Sequence, residues 1–100
     1  MQPERFEERE TVEATARLFR ALAHPGRLRV LLLLAEREPR SAGDLAEATG
    51  LEQTALSHQL SELRRARLVE AHPEGRQRLY RLADHHVAHI VKDALAHARE

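Results

Sequence analysis

The segment "DHHVAHIVKDALAHARE", from residue 84 to residue 100, concentrates side chains that can bind metal. It holds four of the chain's seven histidines together with Asp84, Asp93 and Glu100. The chain has no cysteine, so any metal must be held by nitrogen and oxygen, which favours zinc, cobalt or nickel over copper(I). Residue types alone do not distinguish between three interpretations of the segment: a solvated tail, a zinc site and part of a catalytic pocket.

The spacing of these residues indicates how a helix would arrange them. At about 100° per residue, His97 lies about 20° from His86 around the helix, and Glu100 lies about 40° to the other side. His86 and His97 are nevertheless about 16 Å apart along the axis, so one helix cannot close a site. Asp84 faces the opposite side unless it precedes the regular helix, as an N-cap residue does.

Two such helices packed antiparallel about a two-fold axis bring the start of one helix to the end of the other. Each of the two resulting sites would combine Asp84 and His86 of one protomer with His97 and Glu100 of the partner subunit. Two imidazoles and two carboxylates form a closed tetrahedral site suited to zinc. A catalytic zinc needs an open position, and no metalloprotease motif, nucleophile elbow or phosphate loop is present, which disfavours a zinc hydrolase.

The other polar residues of the segment have simpler interpretations. We interpret His85 and His89 as solvated, with His89 as the substitute ligand because it lies one turn from His86. Asp93 lies on the ligand stripe near the middle of the helix, and we interpret it as an interface polar group rather than a ligand. The alternative to metal binding is that this C-terminal helix serves only as a dimerisation surface.

Composition restricts the class of protein. Of 100 residues, 42% are hydrophobic and 32% are charged, which predicts one folded domain over residues 1–100. No apolar run approaches the roughly 18 residues needed to span a bilayer, and the acidic, mixed-charge start does not read as a signal peptide. We therefore expect a cytoplasmic protein with no membrane partner. Net charge is zero, but residues 51–82 carry six arginines against four glutamates, which permits contact with nucleic acid.

Apolar spacing predicts two helices in the first part of the chain. Residues 4–22 carry one stripe that we expect to be buried, formed by Val12, Ala16, Phe19 and Leu22. Residues 28–35 are apolar nearly all round, which predicts a helix in the middle of the core. This helix should end by Glu38, because Pro39 follows.

A helix-turn-helix is predicted over about residues 41–67. Ser41 is placed to be the N-cap of its first helix, and Gly50 can end that helix in the left-handed conformation. The second helix carries an inner stripe of Leu56, Leu60 and Leu63. A β-hairpin, the wing, is expected over about residues 68–82, and helical spacing returns over about residues 84–100. The expected fold is mainly α with a small β-hairpin: a winged helix-turn-helix with N- and C-terminal dimerisation helices.

Three stretches resemble the ArsR/SmtB family of metal-responsive repressors, and most closely its zinc-sensing SmtB branch: "ALAHPGRLRVLLLLA", "DLAEATGLEQTALSHQLSELRRARLVEAHPEGRQRLYRL" and the C-terminal segment. Together they cover nearly everything after the first twenty residues. The resemblance implies a homodimer whose recognition helices, the second helices of the helix-turn-helix, enter successive major grooves of a double-stranded operator. It also implies that the metal-bound form releases DNA.

The same resemblance bears on metal ligands. The spacing Asp-x-His, ten residues, His-x-x-Glu matches the fifth-helix motif of SmtB-like sensors, which implies the ligands Asp84, His86, His97 and Glu100. Ser41 stands where many relatives have a cysteine, and a hydroxyl does not replace a thiolate, so a second metal site is not expected.

The N-terminal half of the recognition helix is the part that reaches base edges in this motif. We expect base contacts from four polar residues there: Gln53, Thr54, Ser57 and His58. Four arginines are better suited to phosphates: Arg64, Arg65, Arg76 and Arg78. A solvated polar face is the alternative for each of these residues.

These observations predict a zinc-responsive transcriptional repressor that binds its operator as a metal-free dimer. The alternative is a repressor of the same family that responds to another metal, such as Co²⁺, Ni²⁺ or Cd²⁺, or to a non-metal signal. In SmtB-like sensors the histidine that corresponds to His97 bonds a backbone carbonyl at the end of the recognition helix. The resemblance assigns that carbonyl to Arg67, which makes Arg67 the expected link between the metal and the DNA-binding surface.

Overall fold

The computed structural model describes residues 6–100. Within this range the elements follow in the order α1 (Phe6–Leu22), α2 (Pro25–Glu36), β1 (Arg40–Ser41), α3 (Ala42–Thr49), α4 (Gln53–Arg65), β2 (Val69–Glu74), β3 (Gln77–Leu82) and α5 (His85–Ala98). The predicted winged helix-turn-helix is confirmed, and the short strand β1 is an addition that the sequence pattern does not predict. None of these helices is long and apolar enough to cross a membrane.

The strands form an antiparallel sheet in the order β1-β3-β2. In the hairpin, Val69 lies opposite Leu82, and the turn includes Gly75, whose φ of 62° is in the left-handed region that favours glycine. On the other edge of β3, Arg40 lies opposite Tyr80. The strand β1 therefore attaches the start of α3 to the wing.

The core collects apolar side chains from every helix and from the hairpin. Its buried members are Leu22, Val30, Leu31, Leu34, Leu45, Leu56, Leu60, Leu63, Leu68, Val69, Tyr80, Leu82, Val87 and Val91. The predicted inner stripe of α4 is thus confirmed. The prediction that α2 lies in the middle of the core holds for Val30, Leu31 and Leu34, which are buried. Leu32 and Leu33 are only partly buried, and they line a cleft of about 340 Å³.

Among the side chains of α1 that the structure describes, those in contact with the core lie in the last turns of the helix. Leu18, Ala21 and Leu22 contact the core, and Leu22 is 6% exposed. Val12 and Phe19 are 57% and 53% exposed, so the prediction of a buried α1 stripe holds at Leu22 but is wrong at these two positions within a single chain. The apolar stripe is present, but this chain does not cover it.

Helix α3 begins and ends as predicted. Ser41 Oγ accepts a hydrogen bond from the backbone N–H of Asp44 at 3.1 Å, and Gly50 has a φ of 72°. The guanidinium of Arg40, which is 6% exposed, donates to the backbone carbonyl of Arg37 at 2.9 Å and lies 3.5 Å from the Asp44 carboxylate. These contacts hold the start of α3 against the end of α2.

The corner between α1 and α2 is bonded to the recognition helix. His24 Nδ1 accepts from the backbone N–H of Gly26 at 3.1 Å and caps α2. Arg27 donates to the backbone carbonyl of Ala21 at 3.0 Å and to Oε1 of Gln59 at 3.1 Å. Because Gln59 belongs to α4, Arg27 connects the end of α1 directly to the helix expected to read DNA.

Candidate metal and DNA-binding sites

The start of α5 meets one condition of the ligand hypothesis, the position of Asp84 before the regular helix. Asp84 is the N-cap residue, with φ of −160° and ψ of 175°, and its Oδ1 accepts from the backbone N–H of Val87 at 3.2 Å. It therefore precedes the regular helix, and it is exposed. His86, in the first turn, is exposed as well.

The other two expected ligands lie at the far end of α5. His97 Nδ1 is 3.8 Å from Glu100 Oε2, and the two side chains are 90% and 79% exposed. The helix ends at Ala98 with Arg99 as its C-cap, so Glu100 lies just beyond the regular helix on which its position was expected. A hydrogen bond of 3.2 Å from its backbone N–H to the carbonyl of His97 keeps it on the last turn.

One chain does not assemble a metal site from these groups. Across the described residues, no three histidine, aspartate or glutamate side chains lie close enough together to hold an ion. Two expected ligands lie at each end of α5, and all four are exposed. Two imidazoles and two carboxylates suit zinc chemically, and completing the set requires groups from another chain.

The remaining polar side chains of α5 are exposed, and two of its apolar side chains are buried. Asp93 is exposed in the second half of the helix, and Val87 and Val91 turn into the core. His85 and His89 are exposed, with their ring centroids 5.9 Å apart and nearly perpendicular. The ring of His85 also lies 4.1 Å from that of His86.

A cleft of about 590 Å³ separates the wing from the helix-turn-helix. Three of the residues expected to contact DNA line it: Ser57, Arg76 and Arg78. The start of α3 contributes Ser41 and Gly43, which were not among the residues predicted to contact DNA. Their position in the cleft could have been predicted only from the pairing of β1 with β3. That pairing is not visible in the sequence, because a two-residue strand is too short to show periodicity.

The other expected DNA contacts lie on the same exposed side of α4 or at its C-terminal end. Gln53, Thr54 and His58 are exposed near its start. Arg64 and Arg65 line a second cleft, of about 600 Å³, together with β2. The Arg65 guanidinium is 2.9 Å from the Glu62 carboxylate, so part of its charge is already paired.

Arg67 ends the recognition helix in an uncommon conformation. Its φ is 62°, a left-handed value that no other non-glycine residue described in the chain adopts. The backbone N–H of Arg67 donates to the carbonyl of Arg64 at 3.0 Å, and that of Leu68 donates to the carbonyl of Leu63 at 2.9 Å. This pair of bonds is a Schellman motif, which fixes the direction in which the chain leaves α4 and enters the wing.

Comparisons with known proteins agree with this architecture. The family model for bacterial regulatory proteins of the arsR family matches residues 24–71. The HTH-type transcriptional repressor SmtB of Mycobacterium tuberculosis is 46% identical over 92 residues, which are 92% of this chain and 67% of that protein. The HTH-type transcriptional regulator NmtR of the same organism is 45% identical over 83 residues, which are 83% of this chain and 68% of that protein.

Solved structures give the same result. The solution structure of a homodimeric winged helix-turn-helix DNA-binding domain from Mycobacterium bovis has a TM-score of 0.85 and 34% identity, covering 100% of this chain and 92% of that one. The crystal structure of NolR from Sinorhizobium fredii has a TM-score of 0.80 and 36% identity, covering 98% of this chain and 96% of that one. The curated relatives are transcriptional regulators, which confirms that the chain is not an enzyme. With 46% identity to SmtB over 92% of its length, the chain belongs to the ArsR family of bacterial regulatory proteins and is an SmtB-like transcriptional repressor.

Proposed function

We propose that this protein is a zinc-responsive repressor whose metal-free homodimer binds an operator and whose metal-bound form releases it. The observation that carries the proposal is the distribution of exposed side chains able to bind metal at the two ends of α5: Asp84 and His86 at its start, His97 and Glu100 at its end. Asp84 precedes the regular helix, which is the condition under which it can share a metal with His86.

A homodimer is supported by the surfaces that a single chain leaves uncovered. The exposed stripe of α1 includes Val12 and Phe19, and apolar side chains of this size favour burial against a partner. The Mycobacterium bovis relative is described as homodimeric. We place the parts in one domain over residues 1–100: a helix-turn-helix over about 41–67, a wing over about 68–82 and a metal and dimer helix over about 84–100. A cytoplasmic location follows from this role as a DNA-binding regulator.

The DNA-binding surface combines two kinds of contact. Polar residues at the exposed start of α4 are proposed to meet base edges: Gln53, Thr54, Ser57 and His58. Arginines at the end of α4 and in the wing are proposed to bind phosphates: Arg64, Arg65, Arg76 and Arg78. The cleft between wing and helix-turn-helix supports a concerted contact, because Ser57 and both wing arginines line it.

The metal site is proposed to lie between protomers. Asp84 and His86 of one protomer would act with His97 and Glu100 of the partner subunit, giving two sites per dimer. Zinc, when bound, would supply a divalent centre held by groups from both α5 helices. One ring nitrogen of His97 would be a ligand, and the other would be a donor that requires an acceptor. We assign that acceptor to the Arg67 carbonyl, at the Schellman end of the recognition helix.

Mixed dimers test the placement of the site. A dimer of one His86→Ala chain and one His97→Ala chain has one site without histidines and one intact site. We expect such dimers to keep about one high-affinity zinc, whereas both parent homodimers have only damaged sites. Zinc stoichiometry measured by competition with a chromophoric chelator gives the answer. Mixed dimers that bind no more tightly than either parent would contradict a site shared between protomers.

The signal itself is tested by titrating the dimer onto its operator at fixed salt concentration, with and without metal. Zn²⁺ should weaken the complex, and parallel titrations with Co²⁺, Ni²⁺ and Cd²⁺ show whether another metal is the better effector. Fixed salt is essential, because phosphate contacts make DNA affinity strongly dependent on ionic strength. A complex that no metal weakens would favour the alternative, a repressor of this family with a non-metal signal.

The link through Arg67 has its own test. Methylating the non-ligand nitrogen of His97 by semisynthesis keeps the ligand and removes the donor. Coupling between metal and DNA of about 1–3 kcal/mol should then largely disappear while zinc still binds. The coupling is reciprocal, so in the unmodified protein operator DNA should weaken zinc binding by the same factor. Full release of DNA by the methylated protein would refute the route and leave zinc sensing standing.

A further inference from the structure

His85 and His89 form a pair on one face of α5 that the proposed zinc site does not use. They lie four positions apart in the chain, a spacing that places two side chains above one another on a helix. Their ring centroids are 5.9 Å apart, and both residues are exposed. Two histidines at this spacing are a recurrent metal-binding arrangement on helices.

The distance between the rings is within reach of a chelating pair. A ligand nitrogen lies about 2.0–2.1 Å from a bound metal ion, which puts each ring centroid about 3.2 Å from the metal. The centroids of two ligand rings are then about 5.2 Å apart at a tetrahedral metal and about 4.5 Å apart at adjacent positions of a square-planar one. The observed 5.9 Å exceeds these values by about 0.7 and 1.4 Å, so both exposed side chains must rotate towards each other to bind one ion.

Neighbouring groups surround the His85 side chain and set the local charge. The ring of His86 lies 4.1 Å from that of His85, so His86 adjoins the pair without being one of its ligands. The N-terminal end of a helix disfavours a cation, but the Asp84 carboxylate caps this end. His85 also lines a cavity of about 640 Å³ whose wall includes acidic and basic side chains: Glu36, Arg37, Glu38, Arg81 and Asp84.

We propose that His85 and His89 bind one divalent first-row metal ion per chain, with water completing the coordination. Two imidazoles without a thiolate favour Cu²⁺ and Ni²⁺, and Cu²⁺ forms the strongest complexes of the series. All the protein ligands belong to one helix of one protomer, so this site needs no partner subunit. Because the site lies within one helix, a metal ion bound there does not link the two α5 helices. Such an ion therefore does not release the operator.

The site is separate from the one in the proposed function, and either can fail alone. The background for the test is the double variant His86→Ala/His97→Ala, in which both proposed inter-subunit sites are damaged. Titration of this variant with Cu²⁺, followed by the visible and paramagnetic resonance spectra of the bound ion, should show about one Cu²⁺ per chain with nitrogen ligands. Adding His89→Ala should weaken that binding about tenfold or more, because the second link of the chelate is lost.

Matched controls identify the pair. Adding His72→Ala, which removes another exposed histidine, should leave Cu²⁺ binding unchanged. Adding His85→Ala should weaken it as much as His89→Ala does. If the background variant binds no Cu²⁺, or if it binds equally well without His89, the inference is overturned. A wild-type dimer that binds Cu²⁺ at this pair but never responds to zinc would support the pair and refute the proposed function.

The absence of an effect on DNA is tested in the same background. Saturating it with Cu²⁺ should change operator affinity by less than about twofold, since the ion joins groups within one helix. Cu²⁺-dependent release that requires His89 would overturn this part of the inference. Loss of zinc-dependent release together with retained Cu²⁺ binding at the His85–His89 pair is the expected phenotype of the background variant itself.

Discussion

Replacing Arg67 by glycine should stabilise the protein. Arg67 has a φ of 62°, and the backbone N–H groups of Arg67 and Leu68 make the two hydrogen bonds of the Schellman motif. The motif requires this left-handed conformation at the residue after the C-cap, whichever side chain occupies it. Glycine adopts the conformation without a clash between Cβ and the following carbonyl, so Arg67→Gly should keep the bonds and remove the strain.

The size of the gain follows from two opposing terms. A left-handed conformation costs an L-residue about 1–2 kcal/mol. Glycine gives the unfolded chain more freedom, which lowers stability by about 0.4–1 kcal/mol. The Arg67 side chain is exposed, so its removal sacrifices little packing. We therefore expect the free energy of unfolding to rise by about 0.5–1 kcal/mol.

Urea denaturation at a fixed protomer concentration measures the change, because the stability of a dimer depends on concentration. Arg67→Ala is the control that removes the side chain but keeps Cβ, and it should not gain the stability that glycine gains. Gly50→Ala is the reciprocal control: Gly50 has a φ of 72°, so alanine there should destabilise by about 1 kcal/mol. If Arg67→Gly is no more stable than Arg67→Ala, the strain argument is refuted.

Three further predictions concern other contacts. A double-mutant cycle on Arg27→Ala and Gln59→Ala should show a coupling of about 0.5–1.5 kcal/mol in urea unfolding, since the two side chains share a hydrogen bond. A coupling of zero would mean that this bond contributes nothing to the free energy of unfolding. Phe19→Glu should raise the dimer dissociation constant at least about tenfold in sedimentation experiments, because it places a charge on the exposed α1 stripe. An unchanged dissociation constant would exclude Phe19 from the dimer interface. Arg76→Ala should reduce the salt dependence of operator binding by about one counterion, and an unchanged slope would place Arg76 away from phosphates.

Local signals in the sequence predicted a large part of the fold. The stripe on α4 and the caps at Ser41 and Gly50 depend on residues close together in the chain, and the structure has all of them. The strand β1 was not predictable in this way, because two residues show no periodicity and become a strand only by pairing with Tyr80. The exposure of Phe19 was also missed, since an apolar stripe has the same spacing whether it packs in its own chain or against another.

In the candidate site, too, features set by nearby residues were predicted, and features set by distant contacts were not. The position of Asp84 before α5 was a condition stated from helix geometry, and the structure meets it. Glu100 was expected on the helix, but α5 ends at Ala98, since terminal turns depend on weak local contacts. The wing cleft that brings Ser41 beside Ser57 could not be predicted, because it arises from strand pairing between distant parts of the chain.

The double role of Asp84 has a consequence for the evolution of this repressor. Its side chain both caps α5, through the bond to Val87, and supplies a proposed metal ligand. Asparagine and serine cap helices about as well as aspartate, but they lack the charge of a carboxylate ligand. A single substitution at this position could therefore abolish the response to metal while the helix, the dimer and the DNA-binding surface persist. Descendants of such a protein would still repress, and they would be free to acquire a different signal.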